Sequence, residues 1–283
     1  MKEKSEIKFF EQDPYAPIQY VYEVTNILYS GKSEFQEIKV IENPHFGRIL
    51  LLDDVVQITE RDEFFYHEML THIVMHAHPN PRKVIVIGGG DGGTVREVLK
   101  HTTVERVFFI EIDEEVITVA KKFFPGVAGE VDNPKVEVRC MDGAEFIKEK
   151  QNDIDVIIVD STDIIGFAKS LFTIDFFKSA KEALRDDGMF VTLSESVHFH
   201  KDIIVNVQEA MKMVFPIVDL YAATIATYAG NWWTFSVASK KHNPREMKQK
   251  FEIDTKYYSD EIHAYAFLPP RFYQKLLKKQ LMW

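Results

Sequence analysis

The strand-like run Val84-Ile85-Val86-Ile87 leads straight into Gly88-Gly89-Gly90-Asp91-Gly92-Gly93, five glycines in six positions. A helix-forming segment, Thr94 to His101, comes directly after. A buried strand, a glycine turn and a helix in that order make the first half of a nucleotide-binding βαβ unit. There the missing Cβ atoms let a ligand approach the backbone and the helix N-terminus faces it. Asp91 departs from that pattern. A turn built for an anion avoids a carboxylate, so this one predicts a ligand that is cationic near the loop.

Around this motif the chain alternates strands with amphipathic helices. Val84–Ile87, Val107–Ile110, Val136–Cys140, Ile154–Val159 and Met189–Leu193 read as strands. Segments 94–101, 113–123, 143–150, 172–185 and 200–214 read as helices. Such alternation predicts a parallel, doubly wound α/β sheet. Ile217–Ile225 and Trp233–Ala238 read as an antiparallel pair at one edge of it. Before it, Asp62 to Ala77 reads as a helix closed by Pro79 and Pro81, and residues up to about 60 read as short strands. Among these, Gly47–Leu52 and Val55–Thr59 flank a tight Asp53-Asp54 turn. The expected division is an all-β unit over 1–60 and a Rossmann-like catalytic unit over 61–283.

Thirty-four basic against 44 acidic side chains, a net charge of −10, argue against a nucleic-acid surface, which needs clustered Lys and Arg. The one cysteine, Cys140, excludes an internal disulfide and a multi-cysteine metal site; its place in Val136–Cys140 predicts a buried strand thiol. No apolar run approaches membrane-spanning length, and Met1–Glu6 lacks the apolar core of a signal peptide. A cytoplasmic protein that binds neither membrane nor nucleic acid is expected.

Gly88, Gly90 and Gly93 fit G-x-G-x-x-G, a match shared by dehydrogenases and methyl-donor enzymes. Two later acids narrow it. Glu111 ends the second strand, eighteen residues past Gly93, where a carboxylate can hold ribose hydroxyls. Asp142, before Gly143, follows the third strand, where it can accept from an adenine amine. Asp160 ends the fourth strand and Asp163 lies three residues on. A metal pair or a polar turn would fit those two, but crowded carboxylates also suit organic ammonium groups. Tyr66 and His67 read, by spacing, as half-buried helix residues. His72, His76 and His78 resemble metal ligands only in composition, since no zinc motif surrounds them.

Together these blocks resemble the polyamine aminopropyltransferases, the spermidine synthase family, over nearly the whole chain. The resemblance is carried by Phe46-Gly47-Arg48, Gln57, Thr59-Glu60-Arg61-Asp62-Glu63-Phe64, Tyr66-His67-Glu68, Gly88–Gly93, Glu111-Ile112-Asp113, Asp142-Gly143, Asp160-Ser161, Asp163, Ser170-Leu171-Phe172 and Thr227-Tyr228. It implies a methyltransferase-like Rossmann domain behind a small N-terminal β-domain, assembled as homodimers or homotetramers. It also implies transfer of an aminopropyl group from decarboxylated S-adenosylmethionine, a co-substrate rather than a resident cofactor, to an amine, usually putrescine. The products are spermidine and 5′-methylthioadenosine, and no metal is needed. By this resemblance Asp160 is the base, with Tyr66 and Tyr228 orienting the amine. Asp163 holds the acceptor, Gln57 and His67 line the junction, Gln36 and Glu111 hold the ribose, and Asp142 holds the adenine. Asp91 suits this donor, whose bare ammonium replaces the carboxylate of ordinary S-adenosylmethionine.

The chain departs from the family where the acceptor binds. Ile164-Ile165-Gly166-Phe167 stands for the usual Pro-x-Gly-Pro, Ala226-Thr227-Tyr228-Ala229 for Pro-Thr-Tyr-Pro, and Leu193 for a common glutamine. Lost prolines free these loops, leaving cadaverine, agmatine or spermidine open as acceptors beside putrescine. Further alternatives are a small-molecule S-adenosylmethionine methyltransferase, an NAD-dependent oxidoreductase, and a non-catalytic polyamine-binding protein on the same scaffold.

Overall fold

A computed structural model describes residues 7–164, 166–250 and 252–281. The chain opens with an antiparallel hairpin, β1 (Ile7–Gln12) and β2 (Gln19–Val24). A four-stranded antiparallel sheet follows: β3 (Asn26–Lys32), β4 (Glu37–Asn43), β5 (Gly47–Leu52) and β6 (Val55–Thr59). The turn between β5 and β6 is carried by Asp53 and Asp54 at φ 48° and 64°, the left-handed pair that a two-residue hairpin needs. Successive side chains of a strand face opposite ways, and here both faces are covered. Leu50 and Leu52 lie on one face, Ile49 and Leu51 on the other under Tyr22 and Val24. That double burial explains the unbroken apolar run Ile49–Leu52.

Helix α1 (Glu63–Ala77) leads into the main sheet. In chain order come β7 (Lys83–Gly88), α2 (Gly93–Leu99), β8 (Arg106–Glu111), α3 (Glu114–Phe123), the short α4 (Pro125–Ala128), β9 (Val136–Cys140), α5 (Gly143–Lys148) and β10 (Ile154–Asp160). After a 3-10 segment over Gly166–Phe172 come α6 (Ile174–Ala183), β11 (Leu184–Ser196), α7 (Lys201–Lys212), β12 (Ile217–Thr224) and β13 (Trp232–Ser239), then α8 (Asp260–Tyr265) and α9 (Pro270–Leu277). The sheet order is β12-β13-β11-β10-β7-β8-β9, with β11 through β9 parallel and β13 and β12 antiparallel at one edge. Helices cover both faces. Met69, Leu70, Ile73 and Val74 of α1 pack on one side, and Phe146, Phe177 and Met211 of α5, α6 and α7 on the other. The fold is thus the methyltransferase-like Rossmann arrangement behind a small antiparallel β unit. Val116 and Val119 of α3 pack against Ile38, Val40 and Leu50, joining the two parts.

Two expectations fail. Tyr66 and His67, read as half-buried, are buried, because α1 packs on the sheet and the Gly93 turn closes over His67. Cys140 is exposed, because β9 is the free edge of the sheet and the residues at its end meet solvent. Among the described residues no helix is long and apolar enough to cross a membrane.

Candidate active site

From β7 the chain moves outward through β8 to β9, then returns to lay β10 against the other side of β7. Ligands of open α/β sheets bind where the strand order reverses, beyond the carboxyl ends of the strands. Here Gly88 and Asp160 sit opposite each other at that point. A cavity of about 310 Å³ opens there, within the range of small-molecule sites. The residues given a substrate or catalytic role from the resemblance lie on its wall: Gln36, Gln57, Tyr66, His67, Gly88, Gly90, Asp91, Glu111, Asp142, Gly143, Asp160, Asp163 and Tyr228; Gly93 of the glycine motif does not.

At the glycine turn the need for glycine has a second cause beside ligand approach. Gly88 and Gly89 have φ of +78° and +69°; a Cβ on them would lie 2.3 Å from the Asp160 carbonyl oxygen and 2.4 Å from its Oδ2. The turn is therefore moulded onto Asp160. Glu111 accepts the Asp113 amide at 2.9 Å, and burial raises its carboxyl to about 7. Asp142 caps α5 by accepting the Ala144 amide at 2.7 Å, which orients it at the cavity rim. Gln36 reaches the same region and donates to Asp113 Oδ2 at 2.9 Å.

Asp160 is the centre of the cavity. Tyr66 donates to its Oδ1 at 2.8 Å and Thr94 to its Oδ2 at 2.7 Å. Burial, then the nearby Asp91, pushes its carboxyl up to about 6 despite these donors. Asp91 Oδ1 accepts the Gly93 amide at 2.7 Å and lies 3.1 Å from His67 Nε2. Burial opposes ionisation of Asp91, but His67 outweighs it and holds the carboxyl below its ordinary value. The rings of Tyr66, Tyr228 and Trp233 form an aromatic wall, with centroids 5.5 Å and 4.8 Å apart in succession. Tyr228 donates to the Gln57 carbonyl at 2.6 Å.

Beyond Asp163 lies a group that sequence reasoning did not single out as a site. Glu11 and Asp13 from the N-terminal hairpin, Glu195 at the end of β11 and His200 before α7 are all buried. His200 Nε2 lies 3.2 Å from Asp13 and its Nδ1 3.3 Å from Glu195. Glu11 is raised to about 7 by burial, and Asp163 is raised by its surroundings and by Glu195, Glu11 and Asp13. Burial works against a charged His200, yet Glu195 and Asp13 raise it. Four carboxyls against one imidazole make the far end an environment for a cation, which would favour the ionised form of Glu11 and Asp163. Glu11 and Asp13 carried no motif; they matter only because the hairpin folds back over the cavity.

Of the departures from the family pattern on described residues, Phe167, Leu193 and Ala229 lie on the cavity wall and the Ile164 amide donates to Glu195, while Ala226 is exposed and off the wall. Leu193 is 2% exposed and lines the cavity with Ala229, while Phe167, 68% exposed, stands edge-on to Phe35 at 5.9 Å. Ile165 lies outside the described residues. His72 and His76 converge with His101, and His72 Nε2 meets Glu97 at 2.9 Å; His78 is 3.8 Å from Asp187 instead.

Comparison with known proteins agrees with this geometry. The model for the spermine/spermidine synthase domain matches residues 63–249, and that for the spermidine synthase tetramerisation domain matches 7–60. A polyamine aminopropyltransferase from a Hydrogenobaculum species is 56% identical over 272 residues, 96% of this chain and 97% of that protein. The one from Bacillus subtilis is 44% identical over 257 residues, covering 90% of this chain and 93% of its own. Among solved structures, a spermidine synthase in complex with the transition-state analogue AdoDATO superposes with a TM-score of 0.94 at 36% identity, covering 99% and 98% of the two chains. Spermidine synthase from Thermotoga maritima gives 0.90 at 36% identity, covering 98% and 97%. This chain belongs to the spermine/spermidine synthase family.

Proposed function

We propose that the chain transfers the aminopropyl group of decarboxylated S-adenosylmethionine to a diamine, putrescine first, giving spermidine and 5′-methylthioadenosine. The observation that carries this is Asp160, held by Tyr66 and Thr94 between an anionic turn and an acidic far pocket. In the reaction the amine lone pair attacks the methylene beside the sulfonium. The carbon–sulfur bond breaks, its electron pair stays on sulfur as a neutral thioether, and the nitrogen's proton goes to Asp160. A carboxyl near 6 is ionised at neutral pH, yet is a better base than an ordinary aspartate.

The other roles are those the resemblance implies, and the positions of the residues support them. Gly88, Gly90 and Gly143 admit the nucleoside to the backbone, Glu111 and Gln36 hold the ribose, and Asp142 holds the adenine. Asp91 takes the donor's ammonium, and ordinary S-adenosylmethionine is disfavoured because its carboxylate would face Asp91. Tyr66, Tyr228, Gln57 and His67 shape the passage for the methylene chain. Asp163, with Glu11 behind it, binds the distal ammonium of the acceptor. A longer or guanidino acceptor such as agmatine is a second reading, favoured by Leu193 and Ala229 on the wall and by the acidic groups Glu11, Asp13, Asp163 and Glu195 at the far end. Residues 1–60 and 61–283 are the two units of this reading. The apolar side chains Ile7, Phe10 and Val21, exposed on the hairpin, would be covered in a homo-oligomer, dimeric or tetrameric.

The test is to incubate the protein with decarboxylated S-adenosylmethionine and equimolar putrescine, cadaverine, agmatine, 1,3-diaminopropane and spermidine, identifying products by mass. Methylthioadenosine with one aminopropylated amine is expected. No transfer, with methylation of an amine by ordinary S-adenosylmethionine, would overturn the reading of the acidic turn.

A further inference from the structure

A chain of charges runs behind the reacting groups. Arg96 on α2 forks onto Glu63 at the start of α1, Nη1 to Oε1 at 3.1 Å and Nη2 to Oε2 at 2.8 Å. The same Oε2 is 2.6 Å from His67 Nδ1, one helical turn on, and His67 Nε2 is 3.1 Å from Asp91. All four groups are buried or nearly so. The helix that carries Arg96 starts at Gly93, where a Cβ would meet the imidazole at 2.3 Å, so His67 is wedged in place.

An imidazole with a carboxylate at each nitrogen has two protonation choices. When neutral it has one N–H, and its other nitrogen points a lone pair at a carboxylate oxygen. When doubly protonated it donates from Nδ1 to Glu63 and sets its charge 3.1 Å from Asp91 at Nε2. Arg96 decides which, because a forked guanidinium keeps Glu63 ionised inside the protein. Glu63 is held at about 2: burial opposes its charge, but His67 and Arg96 outweigh it. His67 is raised well above its ordinary value, burial again being overcome by Asp91 and Glu63.

We propose that Glu63 and Arg96 are positioning residues that act through His67: they keep its imidazole doubly protonated, and that buried cation lets Asp91 and Asp160 be ionised together. Two carboxylates facing one buried cavity otherwise share a proton. The groups facing His67 are Glu63 and Tyr66 on its own helix, Asp91 in the glycine turn and Asp160 at the end of β10; Arg96 stands behind Glu63. This inference rests on the reading of Asp91 as the site of the donor's ammonium and of Asp160 as the base.

The test is Glu63→Gln, which keeps the shape and removes the charge, with Arg96→Gln and Arg96→Lys beside it. The acid limb of kcat/KM for decarboxylated S-adenosylmethionine should move up by about one pH unit, the scale on which a buried neighbouring charge shifts a carboxyl. Activity relative to the parent enzyme should be about 2-fold lower at pH 7, fall to about 10-fold lower by pH 5 and match the parent by pH 9, with Arg96→Lys shifted less than Arg96→Gln. A loss equal at every pH would reduce Glu63 to a structural role and overturn the inference. Nitrogen-15 imidazole spectra give an independent reading without substrate. His67 should remain doubly protonated past pH 8 in the parent and titrate below that in Glu63→Gln. A His67 already singly protonated at pH 7 in the parent would also overturn it. The imidazole titration does not depend on turnover, so it separates failure of this inference from failure of the assignment of Asp160, which Asp160→Asn tests.

Discussion

At the end of the cavity proposed for the nucleoside, Gly88–Gly93, Glu111 and Asp142 stand at the carboxyl ends of three adjacent parallel strands. At the amine end, Glu11, Tyr66, Asp163, Glu195 and Tyr228 come from a hairpin, a helix, and three segments spread along the second half of the chain. The first end is local in sequence and held by backbone geometry. The second exists only after the whole chain has folded, and it is held by side-chain charge. Backbone turns tolerate almost no substitution, whereas a charge cluster can be altered one group at a time. That contrast separates how the two ends should respond to mutation.

The largest effect should come where the ends touch. Gly89→Ala puts a Cβ at φ +69° and 2.4 Å from Asp160 Oδ2, so the turn and the base cannot both keep their places. Loss of at least about 10²-fold in kcat/KM for both substrates is expected, since small misplacements at a reacting centre are costly. A loss confined to one substrate would break the idea that the turn is moulded onto Asp160.

Removing a single carboxylate should separate the ends. Asp163→Asn and Glu11→Gln are expected to raise KM for the acceptor about 10–100-fold, the range of one charge-assisted hydrogen bond. Methylthioadenosine affinity, measured by calorimetry, should stay within a few-fold. Glu111→Gln should do the reverse, weakening the nucleoside about 10-fold with acceptor KM little changed. Equal losses on both substrates in either variant would collapse the distinction.

The smallest effect lies off the cavity and on stability. Burial, then His72 and His263, lowers His76 to about 3, so the unfolded chain takes up a proton there near 6.5 and the folded chain does not. Between those values the unfolded state binds more protons. The contribution of His76 is therefore present above about 6.5 and is lost as pH falls toward 3. Melting temperature should drop through that window, and His76→Gln should flatten the drop while leaving turnover at neutral pH unchanged. An identical acid profile in the variant would mean that other groups set acid stability.

Legibility in the sequence follows the same division. Apolar runs and glycine spacing located β7, β8, β10 and the antiparallel edge, because period and turn chemistry are local properties. Glu11, Asp13 and His200 gave no signal, since their role depends on a hairpin whose strands touch the cavity from far away in sequence. Glu63 and His67 were in principle visible as an i, i+4 pair at a helix start, but their partner Arg96 lies on another helix. Cys140 was misjudged because strand patterning does not reveal which strand is the edge.

On the proposed reading Asp160 performs the proton transfer between two independently built ends. The most direct measurement pairs single-turnover rate with methylthioadenosine affinity in Asp160→Asn. A general base contributes about 10²–10⁴-fold, so a rate loss of that size with nucleoside affinity within a few-fold is predicted. A near-normal rate, or a rate loss matched by an equal loss of nucleoside affinity, would contradict it.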